Sequence, residues 1–350
     1  MKPDYTVIEA DLRNDRPDIL AMWQRNFNGE SAKRYAWLYE HPASAASAWM
    51  VKTMTGTVVG ATGLLCRKIK IGGREAVAGQ AVDMVVDERH RMAGPALMLQ
   101  RALIRSFEKK GISLIYGFPN EGSEKVMMRA GYRVLGSFER WTKPLRSEYK
   151  LKSMWKGLLP VKTISLLIDI GMKALSRESY LKRDFRGTRI EPQTSFDRRF
   201  DALWEKTSKA FHIIGERTSS YLNWRFGNDL RQPYYIFCFS GGNGALLGYI
   251  VYQRRDNLIA VADFCATDLD RLQALFVKFI HWSRSENIAS ISITFLGSSE
   301  VTDCLKRAGF YKRPSRERVL VYLTGDTGEE GGPGMLNKDL WYLTDGDKDV

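Results

Sequence analysis

Apolar and polar positions follow two periods along the chain, and their order predicts the elements. Val82-Asp83-Met84-Val85-Val86 reads as a strand that breaks at Asp87-Glu88-Arg89-His90. Leu97, Met98, Leu99, Leu103, Ile104 and Phe107 then recur at helical spacing. A second apolar strand runs from Ile112 to Phe118. It passes through Asn120 into a helical stretch, Ser123 to Ala130, which Gly131-Tyr132 closes.

The same signals return later in the same order, which points to a repeat of domain size. Arg129-Ala130-Gly131-Tyr132 recurs as Arg307-Ala308-Gly309-Phe310, and Ala81-Val82-Asp83-Met84 as Val261-Ala262-Asp263-Phe264. Tyr35-Ala36-Trp37-Leu38-Tyr39 has a counterpart in Leu222-Asn223-Trp224-Arg225-Phe226. Val59-Gly60 matches Leu247-Gly248, each after a hairpin-turn signal. The predicted organisation is one domain over 1–145, a connector over 146–187, a second domain over 188–325, and a glycine-rich linker with a C-terminal tail over 326–350.

Between the first strand and its helix the chain reads Arg91-Met92-Ala93-Gly94-Pro95-Ala96. The first turn of a helix leaves amide N–H groups unpaired and directs the positive end of its dipole outward, which favours an anion there. Gly94 and Ala96 let a diphosphate approach the main chain, Arg91 adds positive charge, and Pro95 removes one amide. The loop resembles the acyl-CoA pyrophosphate loop of the GNAT acyltransferases, whose usual form is Gln/Arg-x-x-Gly-x-Gly/Ala. That resemblance implies an α/β (α+β) fold: two tandem GNAT-like domains, each a mixed, mostly antiparallel twisted sheet flanked by helices.

By the same resemblance, Met84, Val85 and Val86 lie on the strand that pairs with pantetheine and receives the thioester oxygen. Arg91, Met92, Ala93, Gly94 and Ala96 form the pyrophosphate loop, and Asn120 with Ser123 follows the fifth strand. The tyrosine that often protonates the departing thiolate is replaced by Met127, which leaves the general acid open. Asp83 is the first candidate for the base, with Glu121 second and Glu88 third; Asp83 also reads as a structural acid, because Asp263 recurs where no phosphate loop follows. There the chain continues Ala266-Thr267-Asp268-Leu269-Asp270, whose acids suit a helix start and repel a diphosphate. One acyl-CoA site per chain is therefore expected, in the first half.

Charge and composition narrow the partners. The 350 residues carry a net charge of +13, with 44% hydrophobic content. Trp141 to Ile190 holds twelve Lys or Arg against four acids, a net of +8. Within it, 153–176 reads as a basic amphipathic helix that either packs on its own protein or lies on an anionic membrane. Four dispersed cysteines and four histidines share no ligand spacing, so no metal is expected. Dibasic pairs without a recognised motif predict no specific nucleic-acid partner. The start of the chain has no apolar signal region, so a cytoplasmic protein is expected, peripheral to the inner membrane face if the connector binds lipid.

Arg217 to Phe226 resembles a segment of tandem GNAT-like proteins that accompany bacterial exopolysaccharide synthesis, and more remotely the Fem-type aminoacyl transferases. This implies acetyl or other acyl transfer from acyl-CoA to an amino or hydroxyl group of a sugar or polysaccharide precursor, or to a small amine. A non-catalytic module binding CoA or a protein is the alternative, and transfer from an aminoacyl-tRNA is a third reading. The tail resumes as Leu340-Trp341-Tyr342-Leu343 and finishes Asp345-Gly346-Asp347-Lys348-Asp349-Val350. Its resemblance to the tails of some tandem GNAT proteins implies that the terminal carboxylate returns to the site as base, and an edge strand completing a sheet is the alternative.

Overall fold

The computed structural model describes residues 4–27, 31–41, 45–106, 110–147, 168–169, 171, 176, 189–193, 195–227, 233–323 and 333–348. The first half contains β1 (Tyr5–Glu9), α1 (Arg16–Asn26), α2 (Ser31–Tyr35) with a wider turn over Ala36–Glu40, β2 (Ala45–Thr53), β3 (Val58–Ile71) and β4 (Arg74–Val86). It continues through α3 (Pro95–Arg105), β5 (Leu114–Gly117), α4 (Glu121–Ala130), β6 (Arg133–Ser137) and β7 (Glu139–Pro144). The second half contains β8 (Arg189–Gln193), α5 (Arg198–Thr207), β9 (Ile213–Gly215), α6 (Ser219–Phe226), β10 (Tyr235–Ser240), β11 (Leu246–Arg255) and β12 (Leu258–Ala266). Then come α7 (Leu269–Ser285), β13 (Ser290–Gly297), α8 (Ser299–Arg307), β14 (Tyr311–Arg313), β15 (Arg318–Leu323) and β16 (Trp341–Thr344). The predicted connector helix over 153–176 falls outside the described residues except at 168, 169, 171 and 176.

Two compact units result. The first comprises Met1–Ser137, Arg316–Lys338 and Lys348–Val350; the second comprises Phe138–Ser315 and Asp339–Asp347. Each is a mixed, mostly antiparallel sheet flanked by helices.

In the first unit β1 to β4 form an antiparallel meander, and β5 joins β4 in parallel. A strand followed by a crossover helix and a parallel strand buries both sheet faces, which explains why even Gln80 of β4 is fully buried. Leu99 and Leu103, one turn apart on α3, meet Val51, Leu64, Val86, Ile115 and Met127 in its core. Helix α4 starts where the Asn120 side chain accepts from the amides of Gly122 and Ser123 at 3.1 and 2.9 Å.

The second unit repeats that element order with β12, α7, β13 and α8. Phe276, Phe279 and Ile280 of α7 pack with Phe237, Ile250, Phe264 and Ile293 on one face. Phe200 of α5 and Leu222 and Phe226 of α6 cover the other, against Tyr249, Val251 and Cys265.

One strand in each sheet comes from the other half of the sequence. β15 lies between β5 and β6 in the first unit. β7 lies between β13 and β14 in the second. Neither sheet is continuous without strands from both halves.

Candidate active site

The parallel pairing of β4 with β5 runs only from Ala78–Leu114 to Gln80–Tyr116. Three residues on, β4 carries a bulge: Val82 opposes Gly63 and Val85 opposes Ala61, so Asp83 and Met84 together face Thr62. Asp83 adopts φ 51°, the left-handed region that an aspartate tolerates better than most side chains. A bulge bends its strand and raises the local twist, which carries β4 away from β5. The sheet opens beside Met84, Val85 and Val86.

Side chains fix the bulge from one face. Arg34 on α2 donates from Nε and Nη2 to Asp83 Oδ1 at 3.1 and 2.7 Å. Tyr39 donates its hydroxyl to Oδ2 at 3.0 Å. Gly63 makes this reach possible, since a Cβ there would lie 1.9 Å from the Tyr39 hydroxyl. Burial, reinforced by the Asp83 charge, raises the pKa of Tyr39 well above 10.0, so it remains a donor. The Asp83 side chain is only 6% exposed although the residue as a whole is half-buried, which means that the accessible part is main chain.

From the opposite face Gln100 of α3 reaches the bulge, its Nε2 within 3.3 Å of Met84 Sδ and 3.4 Å of Thr62 Oγ1. Gln100 is fully buried, and its Oε1 has no hydrogen-bond partner.

The loop after β4 is held at three points. Asp87 accepts from Asn26 at 2.9 Å and Arg25 at 3.2 Å, both on α1. His90 Nδ1 shares a hydrogen bond with the Tyr5 hydroxyl at 2.8 Å. Arg91 folds back, its Nε donating to the Val86 carbonyl at 3.0 Å and its Nη2 to Asn26 at 3.4 Å. A tight turn over Glu88–Ala93 delivers the chain to Gly94 at φ 99°, and Pro95 opens α3. A Cβ on Gly94 would meet nothing within 4 Å, and Met92 is fully exposed. The start of α3 at Gly94 is therefore open on the side where a side chain would stand.

The other sequence candidates are spread around this opening. Asn120 and Ser123 cap α4, the Ser123 hydroxyl lying 3.0 Å from Asn120 Oδ1. Glu121 is exposed on the first turn of α4, and Glu88 is exposed in the loop. Met127 is buried in the core, its Cε 2.9 Å from where a Gly117 Cβ would stand. Asp347 of the tail is ion-paired with Arg217 at 2.7 Å in the second unit, while residues 349–350 lie outside the described ones. Arg34 and Gln100 were not among the candidates read from sequence, and the bond from Tyr39 to Asp83 was not foreseen. Helical spacing places them on elements, but their polar partners lie 16 to 49 positions away, and no local pattern marks such a pair.

Comparison with known proteins fits this geometry. Residues 11–135 match the model of an acetyltransferase (GNAT) domain. A search of curated proteins finds no match. Among solved structures, the chain resembles a GCN5-related N-acetyltransferase from Anabaena variabilis ATCC 29413, with TM-score 0.66 and 15% identity over 91% of this chain and 73% of that one. A conserved protein from Enterococcus faecalis V583, described as a candidate N-acyltransferase, gives TM-score 0.66 and 12% identity over the same shares. The N-myristoyltransferase of Saccharomyces cerevisiae, solved with myristoyl-CoA, gives 0.53 and 13% over 92% and 84%. Identities this low establish the fold, and the GNAT fold supports an acyl-CoA-dependent acyltransferase. Among the described residues, no helix is long and apolar enough to cross a membrane, and no group of His, Cys, Asp and Glu gathers as a metal site.

Proposed function

We propose that the chain transfers an acyl group from acyl-CoA to an amino or hydroxyl group, with one donor site, in the first unit. The observation that carries this reading is the left-handed bulge at Asp83, which opens β4 from β5 next to a helix start led by Gly94. The amides around Gly94 and Ala96 hold the diphosphate, and the main chain of Met84 to Val86 orients the pantetheine arm and the thioester. Arg91, tied to Val86, keeps the loop in shape and adds positive charge.

With its carboxylate engaged by Arg34 and Tyr39, Asp83 acts here as a positioning residue that keeps the bulge. Glu121, exposed after the splayed strand, is the carboxylate assigned to the acceptor's proton. The second unit is read as a degenerate copy, since Asp268 accepts from the Arg271 amide at 2.8 Å where a diphosphate would need bare N–H groups. The acceptor is proposed to be an amino sugar, a polysaccharide precursor or a small amine, met in the cytoplasm, with 153–176 as a peripheral membrane contact.

Release of free thiol from acetyl-CoA in the presence of mixed amino sugars tests the reading. Buried Met127 in place of a proton donor favours a second one, a module that binds CoA without turnover. Saturable CoA binding with no thiol release under any acceptor supports that alternative.

A further inference from the structure

In the second unit the parallel pairing of β12 with β13 stops at Val261–Ile293, two residues before Asp263. β13 does not end there. Ile293 has β7 on one side and β12 on the other; Phe295 has β7 on one side and Thr344 of β16 on the other. The tail strand therefore takes the edge of β13 that β12 leaves, with β9 paired in parallel on its other side at Trp341–Ile213 and Tyr342–Ile214.

The tail is fastened to both walls. Its Tyr342 hydroxyl donates to the Phe264 carbonyl of β12 at 2.5 Å. Gly297 of β13 lets it in, since a Cβ there would lie 2.0 Å from the Trp341 carbonyl oxygen. Arg217 donates from Nη2 to Asp347 Oδ2 at 2.7 Å and to Asp263 Oδ1 at 3.2 Å, so one buried guanidinium joins the tail to β12. Thr344 adds a 2.7 Å bond from its hydroxyl to Asp263, and Arg225 donates to the Gly346 carbonyl at 2.9 Å.

We infer that the opening between β12 and β13 is a peptide-binding cleft whose resident ligand is the chain's own segment Trp341–Asp347, locked by Asp347 on Arg217. The ligand class is an extended strand bearing an aromatic hydroxyl and, five residues on, a carboxylate. This rests on reading β12 and β13 as counterparts of β4 and β5. The test does not involve acyl-CoA, so its failure is distinguishable from failure of the transferase reading.

Hydrogen exchange on the full chain separates a bound segment from an integral strand, because a ligand-like segment opens without unfolding the sheet that holds it. Asp347→Asn keeps the shape and removes the charge. The expected result is exchange of the Tyr342 to Thr344 amides at least about tenfold faster, with the amides of β12 at 258–261 unchanged. A labelled peptide of residues 340–350 should then bind the variant saturably. Equal exchange of β16 and β12 in both proteins overturns the inference, and so does selective release of the tail without uptake of the peptide.

Discussion

Arg34 donates to Asp83 across 2.7 Å, and Asp83 stands at φ 51°. A strained backbone persists only where its surroundings over-determine it, and here an ion pair, a tyrosine hydroxyl and a missing side chain at Gly63 all act on one residue. The opening of the sheet depends on that pair.

Replacing Arg34 with Met should destabilise the first unit by about 1.5–3 kcal/mol, the usual range for a hydrogen bond to a charged group, measured by denaturant unfolding. Asp83→Asn retains the acceptor for Tyr39. If Asp83 positions the bulge, this variant keeps the pH profile of kcat/KM and loses rate through misplacement alone. Loss of the acidic limb of that profile, where a carboxylate base takes up its proton, would make Asp83 the proton acceptor instead.

Gly94 and Gly111 both have positive φ, at 99° and 62°, with nothing within 4 Å of an added Cβ. Alanine at either position should cost about 1–2 kcal/mol of stability from left-handed strain. Only Gly94→Ala should also weaken acyl-CoA binding, as read by titration, because the proposed diphosphate site lies at Gly94 and not at Gly111.

Asn120→Ala removes the acceptor for the Gly122 and Ser123 amides. Thermal unfolding should show a loss of about 1 kcal/mol, typical of an N-cap deletion. A larger fall in CoA affinity than in stability would assign Asn120 a ligand contact as well.

Burial pushes the Cys265 thiol from 9.0 up to about 11. The folded state therefore holds its proton more tightly than the unfolded one. The resulting stability is fully present below pH 9 and is lost as pH rises toward 11, by about 2–3 kcal/mol at 1.36 kcal/mol per unit. Stability measured by urea unfolding should fall across that window in the parent protein and less steeply in Cys265→Ala.

Local signals were legible in the sequence wherever one stretch of chain decides the outcome. The break at Asp87, the glycine before α3, the caps at Asn120 and Asp268, and the Gly131 and Gly309 stops all follow from neighbouring residues. The bulge was not legible, since Asp83 looks like any polar residue on a strand until Arg34 and Tyr39 are brought to it. The exchange of β7 and β15 was also hidden, because strand partners are chosen by long-range pairing and an apolar run does not name its neighbour. For the same reason the tail read equally as an active-site arm or a sheet edge.

Equilibrium titration of the full chain with acetyl-CoA tests the donor site most directly. Saturable binding of one acetyl-CoA per chain, abolished by Gly94→Val, is the expected result. Absence of binding, or affinity unchanged in Gly94→Val, contradicts the placement of the site at the Gly94 helix start.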